Sequence, residues 1–365
     1  MALVLACSLA ASPLLSQEKA LRYVDASAFP LYGKVAENTS GRYTRLPAEY
    51  ESSVREALWW LGRQSAGLYL RFRSDSPEIH ARWSPLFKTK MNHMTMTGMS
   101  GLDLYALSGG QWLFAGSGRP SSADTSVCRI VSGMDGLMRE YMLYLPLYDG
   151  LKSLEIGVLE GSVIDAPLSA SPRSDGRIVM YGTSILQGGC VSRPGMAFTA
   201  ILSRRFDREV VNLGFSGNAL LDLEIARWLA KVEEPLVYVL DEVPNASPEQ
   251  IEERGEEFFR IIREAHPDVP VILVEEPYFP HSRFDRVSDS LVRVKNAAQR
   301  ALYEKLKASG EKRLLYLESK GLIGCDGEAT VDGVHFTDLG ALRYSEALMP
   351  LLRKALRISK KRREN

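Results

Sequence analysis

The sequence predicts an antiparallel β-sandwich followed by a parallel α/β sheet with helices on both faces. Three observations carry this. Over residues 22–160, short runs alternate apolar and polar residues, the period of half-buried strands. After residue 176, brief apolar runs alternate with longer amphipathic ones, the pattern of strands each followed by a helix. Between them, residues 162–176 are rich in Ser, Pro, Asp and Ala and read as a linker.

In the first half, strands are expected at 67–73, 78–83, 102–106, 111–115, 139–145 and 154–158, with Gly, Ser, Pro and Asp in the gaps. Residues 51–61 read as a short helix carrying Trp59 and Trp60. In the second half, strands at 178–181, 210–213, 236–240, 269–274 and 314–317 precede helices at 197–206, 220–231, 248–265, 287–308 and 338–355. The domain boundaries expected are 21–161 for the sandwich and 177–357 for the α/β half, with a basic tail at 358–365.

The chain has 365 residues, 45% hydrophobic and 25% charged, as suits a globular protein of about two domains. Its 45 basic and 45 acidic residues cancel, so no overall field draws it to nucleic acid or an anionic membrane. The basic run 360–363 reads as a solvated helix end. Residues 1–16 are apolar and small, like the hydrophobic part of a secretory signal peptide, though without a charged start. They predict a secreted or periplasmic protein, with Val4-Leu5-Ala6-Cys7 as an alternative lipoprotein cleavage site. No other stretch is long and apolar enough to span a bilayer. If Cys7 leaves with a leader, Cys128, Cys190 and Cys325 remain, an odd count that makes no disulfide framework. A Cys190–Cys325 bridge stays open. No His/Cys spacing matches a zinc motif, so no metal ligands are expected.

In a parallel α/β sheet, sites form at the carboxyl ends of the strands. Polar residues gather there in this chain. Ser184 follows the first strand in Tyr181-Gly182-Thr183-Ser184-Ile185, and the second strand leads into Gly214-Phe215-Ser216-Gly217-Asn218. The third leads into Asp241-Glu242-Val243-Pro244-Asn245, the fourth into Glu275-Glu276-Pro277-Tyr278, and past the fifth lies Asp332-Gly333-Val334-His335. Singly, each has a plain explanation: a serine after a strand is usually a helix cap, and Gly217 and Asn245 are turn formers. Jointly they supply a nucleophile, a base and a group to orient the base, the set needed for acyl transfer through a serine ester.

These blocks resemble those of the SGNH (GDSL-type) hydrolases, over about residues 176–357. Ser184 matches the nucleophile block, Gly217 the glycine block, Asn245 the asparagine block, and Asp332 with His335 the Asp-x-x-His block. The resemblance implies a three-layer flavodoxin-like fold and ester hydrolysis. The first half is similar to the jelly-roll-like β-sandwich that precedes this domain in some bacterial carbohydrate esterases. Two blocks depart from the usual pattern: Gly182-Thr183-Ser184 stands for Gly-Asp-Ser, and Val243-Pro244-Asn245-Ala246 for Gly-x-Asn-Asp. Neither change removes a reactive side chain.

On this reading Ser184 attacks, His335 takes its proton, and Asp332 fixes the imidazole. The backbone N–H groups of Ser184 and Gly217 and the Asn245 amide would bind the oxyanion. The substrate class implied is an acyl ester, acetyl in kind, on a carbohydrate, and no metal or cofactor is required. Lipase or thioesterase action on longer chains is the alternative. A carbohydrate-binding protein with a vestigial hydrolase domain is another, with Trp59, Trp60, Trp83 and Trp112 as stacking candidates. Further substrate contacts are expected from His93 and Met94, in the Met-rich loop 91–99, and from Glu242 and Glu276. The same loop equally suits packing at the domain boundary. The pairs Asp241-Glu242 and Glu275-Glu276 also resemble the acids of glycoside hydrolysis, a weaker reading.

Overall fold

The computed structural model describes residues 20–364; the expected leader, including Cys7, lies outside them. Twelve elements build the first half: β1 (Leu21–Asp25), β2 (Leu31–Tyr32), α1 (Glu56–Gly62), β3 (Tyr69–Ser74), β4 (Ile79–Pro85), α2 (Met96–Ser100), β5 (Leu102–Ser108), β6 (Gln111–Gly118), β7 (Ser126–Val131), β8 (Arg139–Tyr144), β9 (Leu151–Leu159) and β10 (Ile164–Asp165). One antiparallel sheet runs β1-β9-β4-β7, and the other runs β10-β3-β8-β5-β6 with β2 on β3. The inward residues of both, including Leu70, Phe72, Ile79, Trp83, Leu104, Leu143 and Ile156, fill the space between them.

Several segments differ from expectation: β1, β2 and α2 form where no element was expected. Strand β7 was not anticipated, because Cys128 and Arg129 interrupt its apolar alternation and it lies at a sheet edge. The expected linker is partly structured. Strand β10 pairs with β3, and the first α/β strand already begins at Arg173, which pairs with Arg208.

The second half comprises β11 (Arg173–Gly182), α3 (Ser184–Gln187), α4 (Phe198–Phe206), β12 (Arg208–Gly214), α5 (Leu223–Leu229), β13 (Pro235–Asp241), α6 (Pro248–Ala265), β14 (Val271–Val274), α7 (Arg286–Ala308), β15 (Leu314–Leu317) and α8 (Asp338–Glu364). The strands run in the order β12-β11-β13-β14-β15, all parallel, which is flavodoxin-like. Every residue of β13 is buried, as a central strand covered on both faces requires. The start of α6 is fixed by a capping box between Ser247 and Gln250. The basic tail continues α8 rather than leaving it.

The two halves share a core. Tyr69, Tyr105, Met142 and Tyr144 of the sandwich pack in one cluster with Ile178, Phe198, Ile201 and Val210 of the α/β half. Arg45, 1% exposed, crosses the same boundary. Its guanidinium donates to the carbonyls of Leu61, Gln64, Asn212 and Gly214, while burial pulls its pKa down.

Candidate active site

Ser184 opens α3 directly after β11. Thr183 caps that turn by accepting from the Ile185 N–H at 3.3 Å, so threonine serves where the family pattern has aspartate. The turn is tight. A Cβ on Gly214 would meet the Gln187 backbone at 2.2 Å, and one on Gly182 would meet the Asp241 carbonyl at 2.5 Å.

The structure brings Ser184, His335 and Asp332 into one chain of hydrogen bonds. Ser184 Oγ lies 2.9 Å from His335 Nε2, and His335 Nδ1 lies 2.7 Å from Asp332 Oδ2. With Nδ1–H donating to the carboxylate, Nε2 is left to accept from the serine hydroxyl. The other Asp332 oxygen accepts from the backbone N–H groups of Val334 and His335, at 3.0 and 2.8 Å. Burial opposes the Asp332 charge, but these bonds outweigh it and lower its pKa to about 2. Thr337 then caps α8 through the Gly340 N–H.

Gly217 and Asn245 lie on neighbouring loops, joined by a bond from the Ala219 N–H to the Asn245 side chain. Gly217 has φ +67°, and a Cβ there would meet nothing within 4 Å, so glycine serves the backbone conformation and not close packing. Asn245 Oδ1 accepts from the Ala219 N–H at 3.4 Å, which directs its NH2 group elsewhere.

Several positioning residues left no signal in the sequence. Gln187 is fully buried. Its oxygen accepts from the Ser216 N–H at 3.0 Å, while its nitrogen donates to Leu147 and Gln64 of the sandwich. It thus ties the loop before Gly217 to the first domain. Tyr148 donates to the Ser184 carbonyl at 3.2 Å. Lys295, mostly buried, donates to the Pro244 carbonyl at 2.9 Å, next to Asn245.

Of the expected substrate contacts, only His93 reaches the site, its ring 5.6 Å from that of His335. Met94 is buried in the shared core, so the Met-rich loop mainly packs the boundary. Glu242 is also buried and accepts from Gln299, and burial raises its pKa to about 7. Glu276 is buried against Lys295 at 3.4 Å. Both carboxyl groups are thus turned into the protein, against Gln299 and Lys295. Asp241 and Glu275 are buried too, bonded to Tyr344 and to Arg300, Tyr316 and Ser319, which removes the glycosidase reading. Cys128, Cys190 and Cys325 are free thiols, so no Cys190–Cys325 bridge forms.

A hollow of about 540 Å³ is lined by Glu56, Trp60, Met91, Tyr148, Ser216 and Asn218 among others, and its Tyr148 is the residue that donates to the Ser184 carbonyl. Trp60 is 38% exposed, and its ring lies 4.8 Å from that of Phe87. Trp59, Trp83 and Trp112 are buried and cannot stack on a sugar. A basic hollow of about 580 Å³ lies at the opposite end of the strands and has no part in this site.

Residues 175–353 match the GDSL-like lipase/acylhydrolase family, and residues 21–164 match the N-terminal domain of SGNH-hydrolase-type esterases, named GxDLY. A crystal structure from Bacteroides ovatus, described as a GDSL-like lipase, is 35% identical over 93% of this chain and 98% of its own, with a TM-score of 0.88. The chain belongs to the GDSL-like lipase/acylhydrolase family. It is an ester-hydrolysing enzyme of that family. A salicylyl-acyltransferase from a tetracycline biosynthetic pathway shares the fold at 18% identity and a TM-score of 0.72, over 91% of this chain and 98% of its own. So does a family two carbohydrate esterase from Clostridium thermocellum, solved with cellohexaose, at 14% identity and a TM-score of 0.55, over 80% and 94%. No curated protein matches the chain.

The GxDLY pattern is Gly101-Leu102-Asp103-Leu104-Tyr105 in this hydrolase. Its Asp103, fully buried, accepts from Arg193 at 2.6 Å and from the Gly195 N–H at 2.9 Å, and Tyr105 accepts from Arg193 at 2.7 Å. The motif grips the loop that follows Ser184. Among the described residues, no helix is long and apolar enough to cross a membrane.

Proposed function

We propose that this GDSL-like hydrolase cleaves short acyl esters, acetyl in kind, on carbohydrates through Ser184, His335 and Asp332. The observation that carries the reading is the unbroken Asp332–His335–Ser184 chain, at 2.7 and 2.9 Å, on the carboxyl rim of a parallel sheet. Serine is a weak nucleophile at neutral pH and needs such a base. His335 takes the hydroxyl proton as Oγ attacks the carbonyl carbon, then delivers it to the leaving alcohol. Asp332 holds the imidazole tautomer and stabilises the imidazolium. Water then attacks the acyl-serine by the same route in reverse, releasing the acid and restoring Ser184.

The negative charge that grows on the carbonyl oxygen would be met by the N–H groups of Ser184 and Gly217 and by the Asn245 amide. The sugar reading is supported by the Trp60 hollow. It sets one aromatic face among hydroxyl, amide and carboxylate groups, the mixture a pyranose ring presents in complement. His93 stands at the mouth of the site as a further substrate contact. The acetyl assignment draws on the resemblance to carbohydrate esterases. Export from the cell belongs to the same reading and draws on the apolar residues 1–16.

The test is product release from p-nitrophenyl acetate and p-nitrophenyl octanoate by the wild type and Ser184→Ala. Acetate turnover that vanishes in the variant is the expected result. Preference for octanoate would replace the reading with a lipase or thioesterase, and turnover that survives in Ser184→Ala would overturn the triad.

A further inference from the structure

The sequence spacing of histidine and cysteine matches no zinc motif, yet the fold assembles one set of such groups in space. One ligand atom each from His93, Cys190 and His335 lies within 4.8 Å of the others. They come from three separated segments: the loop between β4 and α2, the turn after α3, and the Asp-Gly-Val-His loop. We propose that His93, Cys190 and His335 form a binding site for a thiophilic divalent cation, Zn2+ by its chemistry, whose occupancy blocks the reaction.

The donor set is two imidazoles and one thiol, the ligands of Zn2+ rather than of Mg2+ or Ca2+. Atoms bound tetrahedrally at ~2.0–2.3 Å lie ~3.5 Å apart, so the three groups need to close by about an ångström. His93 can supply that movement. Its ring is only partly buried, lies 5.6 Å from that of His335, and makes a side-chain hydrogen bond from Nδ1 to Asn92 at 3.2 Å, which leaves Nε2 to bind the cation. The chain beside it is anchored, because Met94 is buried and Thr95 donates to the Ser192 carbonyl. The other two ligands are already braced. Cys190 is buried, and its backbone N–H donates to the Phe336 carbonyl. His335 keeps its Nδ1 bond to Asp332, the carboxylate–histidine arrangement that orients zinc ligands. Water or Ser184 Oγ can complete four-coordination.

Charge favours the same ligand. A cation bound to a Cys190 thiolate beside the Asp332 carboxylate would be neutralised locally. Binding would displace the Cys190 thiol proton into solvent. Inhibition follows from geometry. The lone pair of His335 Nε2 that would bind the cation is the one that accepts the Ser184 proton. The blocking effect rests on the esterase reading; the binding does not.

The experiment uses the full chain. Co2+ is titrated into the wild type, Ser184→Ala and Cys190→Ser, and the thiolate-to-metal absorption band is followed. Zn2+ is titrated against p-nitrophenyl acetate turnover in the wild type, His93→Ala and Cys190→Ser, each scaled to its own metal-free rate, with chelator added at the end. The expected results are a band in the wild type and Ser184→Ala that is absent in Cys190→Ser, and chelator-reversible inhibition. Loss of either ligand should weaken that inhibition by at least about 10-fold, the cost of losing even a residue that only orients a metal ligand. No band at any Co2+ concentration overturns the site. A band with undiminished Zn2+-saturated turnover overturns the blocking, and unshifted inhibition in both variants places the inhibitory ion elsewhere. If the wild type turns over no ester, the absorption band alone still decides the site.

Discussion

Asp103 of the sandwich and Arg193 of the loop after Ser184 meet at 2.6 Å across the domain boundary, and Asp103 is fully buried. Its carboxyl pKa is raised by burial, even though Arg193 pulls the other way. Removing Arg193 strands that charge. Arg193→Ala should lose about 3 kcal/mol of stability at neutral pH, as breaking a buried pair does. A folded-state pKa raised above the unfolded one contributes stability at low pH that is lost as pH rises through it. The variant should therefore regain melting temperature, relative to wild type, as pH falls from about 7 toward about 4. A deficit that stays constant over that range would count against a charged Asp103 as its cause.

Asn245→Ala should lower kcat by ~10²–10³-fold, a loss of about 2.7–4 kcal/mol of transition-state stabilisation, with KM little changed. Circular dichroism should match the wild type. An unaltered kcat removes Asn245 from the oxyanion site.

The Asp332 pKa, lowered to about 2, keeps the carboxylate charged throughout the working range. Asp332 itself should then add no acid limb to the pH–rate profile above about pH 4. Asp332→Asn should cut kcat by about 10⁴-fold while the serine remains in place. An acid limb above that pH that disappears in Asp332→Asn would contradict the assignment.

Gly217→Ala should destabilise the loop by about 1–2 kcal/mol, because alanine is strained at φ +67° although its methyl meets nothing. The readout is the urea midpoint together with kcat. No change in either would mean the loop is free to choose another backbone conformation.

Trp60→Ala should raise KM for acetylated xylo- or cello-oligosaccharides several-fold more than for p-nitrophenyl acetate, with kcat less affected. Stacking on one aromatic ring is worth about 1 kcal/mol or more. Equal effects on both substrates would show that the hollow does not select the sugar.

The α/β half was highly legible in the sequence. Strands that are buried on both faces leave continuous apolar runs such as Pro235–Asp241, and the segments past their ends hold Ser184, Asp332 and His335, which the fold joins by hydrogen bonds. Contacts between the halves were not legible. Gln187 and Arg45 act through carbonyls and amides of distant segments, and no local pattern marks such a role. Glu242 and Glu276 were placed at the rim correctly but faced inward, since position along a strand end does not give side-chain direction. Among the tryptophans, sequence could not separate Trp59 from Trp60. One short helix buries the first and exposes the second.

The apolar cluster that holds Tyr69, Tyr105 and Tyr144 against Phe198 and Val210 has a practical consequence for protein engineering. The catalytic half is not a transferable cassette. Cutting the chain near residue 170 would expose half of that cluster and leave the Ser216 and Arg193 loops without their anchors. The excised half should be prone to aggregation, and grafting it onto another scaffold would require carrying its first domain along.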